Sequence, residues 1–175
     1  GAISKKTGLI KNSNTQRLIG MPLKDDLQKS LGKRIIIDND ANCAGLGELY
    51  YGNGKDKKNF VLLTLGTGIG GAIIINNKLY RGSGFAGEPG HILINNIMFE
   101  KIASGKYYQE LLNKHHNKNK TIDEISDNLA IGILNISYIL DPEIIILGGG
   151  FSVLKGLVKK VKEKFNNKDV IKRNI

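Results

Sequence analysis

A single cysteine, Cys43, stands in 175 residues. That excludes a disulfide within the chain and any site needing several thiolate ligands. No apolar run approaches the roughly 20 residues that span a bilayer, and no secretory leader is visible. A cytoplasmic location fits. Acids are scarce beside bases: 16 Asp and Glu stand against 26 Lys and Arg, a net charge of +10. Such an excess invites a nucleic-acid reading, but its distribution opposes one. Residues 155–175 hold eight Lys or Arg and two acids, so +6 of the +10 lies there. Lys155, Lys159, Lys160, Lys162 and Lys164 mostly flank an apolar stripe. The only aromatic in that tail on which a base could stack is Phe165. The pattern is that of a solvated helix face, and no nucleic acid is expected on this chain.

What the chain does have is 41% hydrophobic residues in alternating strand and helix patterns, which define a globular α/β protein. Residues 59–91 are the most informative. An apolar run, Phe60 to Leu65, broken only by Thr64, meets Gly66-Thr67-Gly68-Ile69-Gly70-Gly71. A second run, Ala72 to Ile75, leads to the turn Asn76-Asn77-Lys78. Glycines strip Cβ atoms from a tight turn and let its N–H groups approach an anion such as phosphate. Gly66-Thr67-Gly68 imitates half of a dinucleotide fingerprint. That loop must open a helix, however, and the β-branched residues that follow read as strand–turn–strand. The context rejects NAD.

Elsewhere, residues 1–30 are polar and turn-rich, and Lys33 to Ile37 reads as a short buried strand. Ala41 to Tyr51 is helical, Gly52 to Lys58 is a loop, and residues 97–113 hold a helix. His115 to Lys120 reads as a polar loop. Thr121 and Glu124 have capping-box form and open a long apolar helix, which Asp141-Pro142 stops. Glu143 to Leu147 is an apolar strand broken by Gly148-Gly149-Gly150. Ser152 is placed to cap a final helix carrying Leu154, Leu157, Val158, Val161 and Phe165 on one face.

Three segments thus lie at strand ends, where α/β sheets gather ligands. Transfer of a phosphoryl group to a hydroxyl needs a carboxylate base, N–H donors around the phosphates and a cation. Asp40, flanked by the amides Asn39 and Asn42, suits the base. Asp40 as a simple helix cap and Asp38 as the base are alternatives that spacing does not separate. Glu88 and His91 suit sugar hydroxyls, although taken alone the pair reads first as an ordinary loop ion pair, with a metal pair as a further alternative.

These segments together resemble the signature of the ROK family, named for repressors, open reading frames and kinases. Leu65, Gly68-Ile69-Gly70, Ala72-Ile73, Gly82 and Gly87-Glu88-Pro89-Gly90-His91 occupy its positions. Asn39-Asp40-Ala41-Asn42 resembles its NDAN motif, and residues 140–150 resemble its adenosine-side strand and glycine turn. The resemblance runs from about residue 1 to about residue 165. It implies an actin-like, ribonuclease H-like α/β fold with two domains hinged over a sugar. Residues 1–38 would be the remainder of the small N-terminal domain and residues 39–175 the C-terminal domain. By the same resemblance Asp40 is the base, and Asn39, Glu88 and His91 contact sugar. Gly66, Thr67 and Gly68 approach the phosphates of ATP, and Gly149 and Gly150 lie near the nucleoside. Mg²⁺ would bridge the phosphates.

The chain departs from the family in two places. The zinc loop that usually follows the Gly-His has lost its three cysteines, so no structural metal is expected. Ile97, Met98 and Phe99 are expected to pack inward in its place, and Glu100 takes the position of a sugar-binding carboxylate. The N-terminal DxGGTx loop and the last family helix are absent, which makes the chain a fragment, expected to be inactive alone. The resemblance implies an ATP-dependent kinase acting on the 6-hydroxyl of glucose or of an N-acetylhexosamine such as N-acetylmannosamine, homodimeric at full length. The other readings are a sugar-sensing repressor whose DNA-binding domain lies upstream and a sugar-binding pseudokinase.

Overall fold

A computed structural model describes residues 2–3, 7–12 and 15–172. In chain order its elements are β1 (Ala2–Ile3), β2 (Ile10–Asn12), α1 (Leu23–Leu31), α2 (Asp40–Tyr51), β3 (Phe60–Leu65), β4 (Ile69–Ile75), β5 (Lys78–Tyr80), β6 (Leu93–Ile94), β7 (Ile97–Met98), α3 (Phe99–Ala103), α4 (Gly105–His115), α5 (Lys118–Leu140), β8 (Ile144–Gly148) and α6 (Leu157–Lys168).

The sheet that organises the chain has the order β5-β4-β3-β8. β3 pairs antiparallel with β4 and parallel with β8. A strand covered on both faces reads as a continuous apolar run, and β3 shows why. Its alternate residues Val61, Leu63 and Leu65 join a core with Ile94, Phe99 and residues of α4, α5 and α6. Phe60 and Leu62 point the other way and join Ala72, Ile74, Ile146 and Leu49 of α2. The result is three layers, with α2 on one face and α3–α6 on the other. Contact between α2 and the sheet is close: a Cβ at Gly45 would overlap the Ala72 side chain.

Several local expectations are corrected. Lys33 to Ile37 forms no strand among the described residues. Ile36 is 80% exposed while Ile35 and Ile37 are half-buried, so the β-branched run, lacking a partner strand, is not the buried strand expected. Residues 97–113 do not form one helix: β7 ends at Met98, and Ser104 separates α3 from α4 while accepting a hydrogen bond from the Tyr107 N–H. α5 begins one turn before the supposed capping box. Asn117 is its N-cap, accepting from the Lys120 N–H at 3.0 Å. Thr121 lies inside the helix and donates to the Asn117 carbonyl at 2.9 Å. Glu124 reaches α4 instead, lying 3.1 Å from His115 Nε2. Ser152 does not cap α6; its hydroxyl donates to the Gly149 carbonyl at 2.7 Å, and Gly156 opens the helix. Leu157, Val161 and Phe165 are buried, whereas Val158 is 46% exposed.

The lysine-rich tail is partly neutralised. Lys160 and Lys164 both pair with Asp123 of α5, at 2.9 and 3.1 Å, and Lys168 pairs with Asp127 at 3.1 Å. These cations latch α6 onto α5 and leave a weaker basic surface than the formal charge suggests. Among the described residues no helix is long and apolar enough to cross a membrane.

Candidate functional site

The site grows from the tip of the β3–β4 hairpin. Thr67 is flanked by Gly66, whose N–H donates to the Gly68 carbonyl at 3.0 Å, closing the turn. The Gly66 carbonyl accepts from the Gly105 N–H at 2.8 Å, so the start of α4 is seated on this loop. The Phe151 N–H donates to the Leu65 carbonyl at 3.0 Å, bracing the end of β3 from the turn after β8. Gly149 takes φ +83° there, and a Cβ would run into the Leu65 carbonyl. Glycine is therefore required for both conformation and space. The two glycine turns are thus brought against one another at a shared strand end.

Asp40 is the first residue of α2. Asn39 caps that helix, its Oδ1 accepting from the N–H groups of Ala41 at 2.8 Å and Asn42 at 3.2 Å. Asp40 itself is exposed and, among the described residues, accepts one short-range bond, from the Ala41 N–H at 3.0 Å. The turn lies over the hairpin: a Cβ added at Gly70 would sit 3.4 Å from Ala41 Cβ.

Asp38 is placed very differently. It accepts from Arg81 through both Nε, at 3.0 Å, and Nη2, and from Asn42 Nδ2 and the Asn39 N–H, each at 2.8 Å. Asn42 therefore orients Asp38, not Asp40 as its sequence position suggests. Burial pushes the Asp38 carboxyl up, but the hydrogen bonds from Arg81, Asn42 and Asn39 outweigh it and hold the pKa below the usual value. A depressed carboxylate contributes stability that is present above its unfolded value, near 3.8, and is lost as pH falls through the lower folded value. Asp38→Asn is accordingly expected to flatten the acid limb of the stability profile below about pH 4. Urea unfolding midpoints from pH 2 to 6 check this; an unchanged acid limb would show that the Arg81 clamp does not couple to folding.

Glu88 precedes a 3₁₀ turn, Pro89–His91. Pro89 and Gly90 are buried, Glu88 is half-buried and His91 is exposed. No ion pair joins Glu88 and His91 among the described residues. The turn presses on the sheet, since a Cβ at Gly71 would lie 3.0 Å from the Pro89 ring. Glu100, in the first turn of α3, bridges this turn and the hairpin tip. A Cβ at Gly68 would come within 2.6 Å of Glu100 Oε2, and one at Gly90 within 3.3 Å of Glu100 Cβ. Thr67, Glu100, Lys101, Ser104, Lys106, Tyr107 and Glu110 line a cleft beside the tip. Gly66 and Gly150 show bare faces, with nothing within 4 Å of an added Cβ.

Among the described residues no group of three or more His, Cys, Asp or Glu is arranged to hold a metal. Phe99 is fully buried, but Ile97 and Met98 are 48% and 43% exposed. The expectation that all three pack inward is corrected to one. Sequence reading had also missed Arg81 as the partner of Asp38; a separation of 43 residues leaves no local signal for it. The start of α4 at the hairpin tip was missed as well, although Ser104-Gly105 carries a cap signal.

The chain has a mixed sheet with helices on both faces, and it shares the actin-like fold of the solved ROK family structures on which it superposes. The ROK family model matches residues 1–107 and 100–172, and the chain belongs to the ROK family. It is 30% identical to a glucokinase of Halalkalibacterium halodurans, over 94% of this chain and 64% of that protein. It is 28% identical to a xylose repressor of Caldicellulosiruptor bescii, over 98% of this chain and 54% of that protein. The crystal structure of a ROK family protein from Streptococcus pneumoniae in complex with sucrose superposes with a TM-score of 0.82. Identity there is 30%, covering 95% of this chain and 66% of that one. The chain thus spans just over half to two thirds of the length of these relatives.

Proposed function

We propose that the full-length protein is a sugar kinase that transfers a phosphoryl group from ATP to the 6-hydroxyl of a hexose or N-acetylhexosamine. The observation that carries this reading is the division of labour between two neighbouring carboxylates. Asp38 is clamped by Arg81, whereas Asp40 stands exposed at a helix start beside the hairpin tip. The bare faces of Gly66 and Gly150 fit the close approach of a nucleotide. Gly66, Thr67 and Gly68 would take the phosphate side and Gly149 and Gly150 the nucleoside side. ATP with its Mg²⁺ supplies the transferable phosphoryl group and the charge neutralisation that transfer requires.

The chain's own residues supply the rest. Asp40 accepts the proton of the attacking hydroxyl at a carboxylate oxygen. Asn39, Glu88, His91 and Glu100 hydrogen-bond the remaining hydroxyls and fix the sugar's orientation. The proposed partition places the small domain at residues 1–38 and the large one at residues 39–175. The separation of the β1–β2 ribbon from the four-stranded sheet supports it. The same reading places a cytoplasmic homodimer around a sugar substrate, with no nucleic acid on this chain.

A panel of hexoses and N-acetylhexosamines assayed with ATP on the full-length protein tests the reading. Turnover of glucose or N-acetylmannosamine to the 6-phosphate is expected, and no turnover of any member would overturn it. The relative named as a xylose repressor favours a second reading, a sugar-sensing regulator. The upstream sequence separates the two. A DxGGTx phosphate loop accompanies a kinase, and a helix-turn-helix segment accompanies a repressor.

A further inference from the structure

The position of Glu100 links the two halves of the site. Its backbone is held from both sides. Phe99, the preceding residue, has no exposed surface, and the Ile102 carbonyl accepts from Asn128 Nδ2 at 2.7 Å. The side chain is a quarter exposed, and among the described residues its one ion-pair partner is the exposed Lys101, at 3.6 Å. Its carboxylate rests on the face of Gly68, while its Cβ packs beside Gly90. Gly68 belongs to the turn that phosphates would approach, and Gly90 to the turn that would hold sugar. A carboxylate on Gly68 occupies space a phosphate would take and repels its charge at short range. Hydroxyls donating to that carboxylate from the Gly90 side would hold it elsewhere through charge-assisted hydrogen bonds.

We propose that Glu100 couples the two ligands: without sugar its carboxylate screens Gly68 from nucleotide phosphates, and sugar hydroxyls draw it off that face. This rests on the sugar-kinase reading. It predicts that sugar and nucleotide each tighten the other's binding by the same factor, because coupling between sites is reciprocal. It also makes ordered binding, sugar before nucleotide, a property of one side chain. A nucleotide that meets the site first would find Gly68 guarded, which limits wasteful hydrolysis by water.

Calorimetric titration of the full-length protein with a non-hydrolysable ATP analogue, with and without saturating glucose or N-acetylmannosamine, tests this. In the wild type the sugar is expected to tighten the analogue roughly tenfold, within the usual range for coupled sites. In Glu100→Gln the analogue alone is expected to bind several-fold tighter than in the wild type, and the sugar's effect to shrink toward one. The sugar-free titration remains readable even where the substitution abolishes sugar binding. Glu100→Ala provides the same reading with the polar group removed, and matched melting temperatures verify that both variants are folded. Analogue affinity unchanged or weakened in both variants without sugar would overturn the coupling. So would sugar and analogue binding independently in the wild type. A wild type that binds neither ligand would instead remove the kinase reading on which the coupling rests.

Discussion

Replacing Asp40 by Asn is expected to lower kcat of the full-length protein by about 10²–10⁴-fold, the range for a positioned general base, with little change in sugar affinity. The amide keeps the shape and one acceptor oxygen, so it still fits the first turn of α2 and still accepts from the Ala41 N–H. What it loses is the ability to take a proton. Initial-rate kinetics with the preferred sugar, alongside direct sugar titration, separate the two effects. The control is Asp38→Asn. Asp38 is bound by Arg81, Asn42 and the Asn39 N–H, and its charge is already matched. Removing it should weaken the clamp between the start of α2 and the loop after β5, at a cost of about 1–3 kcal/mol for bonds to a charged group. Turnover should fall less than in the Asp40 variant. Wild-type turnover in Asp40→Asn together with an inactive Asp38→Asn would reverse the assignment.

The pair also shows where sequence reading stops. Both carboxylates sit in Asp38-Asn39-Asp40, and no spacing rule prefers either. The distinction arises from Arg81, 43 residues away and delivered by the turn after β5. The hairpin, by contrast, was legible, because an apolar run, a glycine cluster and a second run admit few other conformations. The end of α5 was legible for a similar reason, since Pro142 cannot continue a helix. Its start was misplaced by one turn, because Asn117 and Thr121 are both competent caps and three intervening residues tolerate helix. Residues 33–37 were misread because β-branched content reports a preference that only a neighbouring strand can realise. Local chemistry was therefore readable wherever one segment decides it, and unreadable where a distant segment completes it.

The loop that departs from the family pattern carries the second large effect. Phe99→Ala is expected to destabilise the chain by about 3–5 kcal/mol, the usual cost of emptying a fully buried aromatic site. Phe99 has no exposed surface, and its ring fills the space that a Cβ at Gly132 of α5 would need. Its N–H donates to the Ile92 carbonyl at 2.8 Å, closing the β6–β7 hairpin. Phe99, with Ile94 of β6 beside it in the same core, thus ties the hairpin to the body of the chain. Ile97 and Met98, half exposed on the same hairpin, carry little of this load. Ile97→Ser and Met98→Ser are expected to cost under about 1 kcal/mol each. Chemical denaturation of the three variants gives the comparison, and elemental analysis of untagged protein with a chelator melt completes it. The wild-type melting temperature should not move with chelator. Stoichiometric zinc whose removal destabilises the fold as much as Phe99→Ala would show that a metal, rather than the phenyl ring, organises this loop.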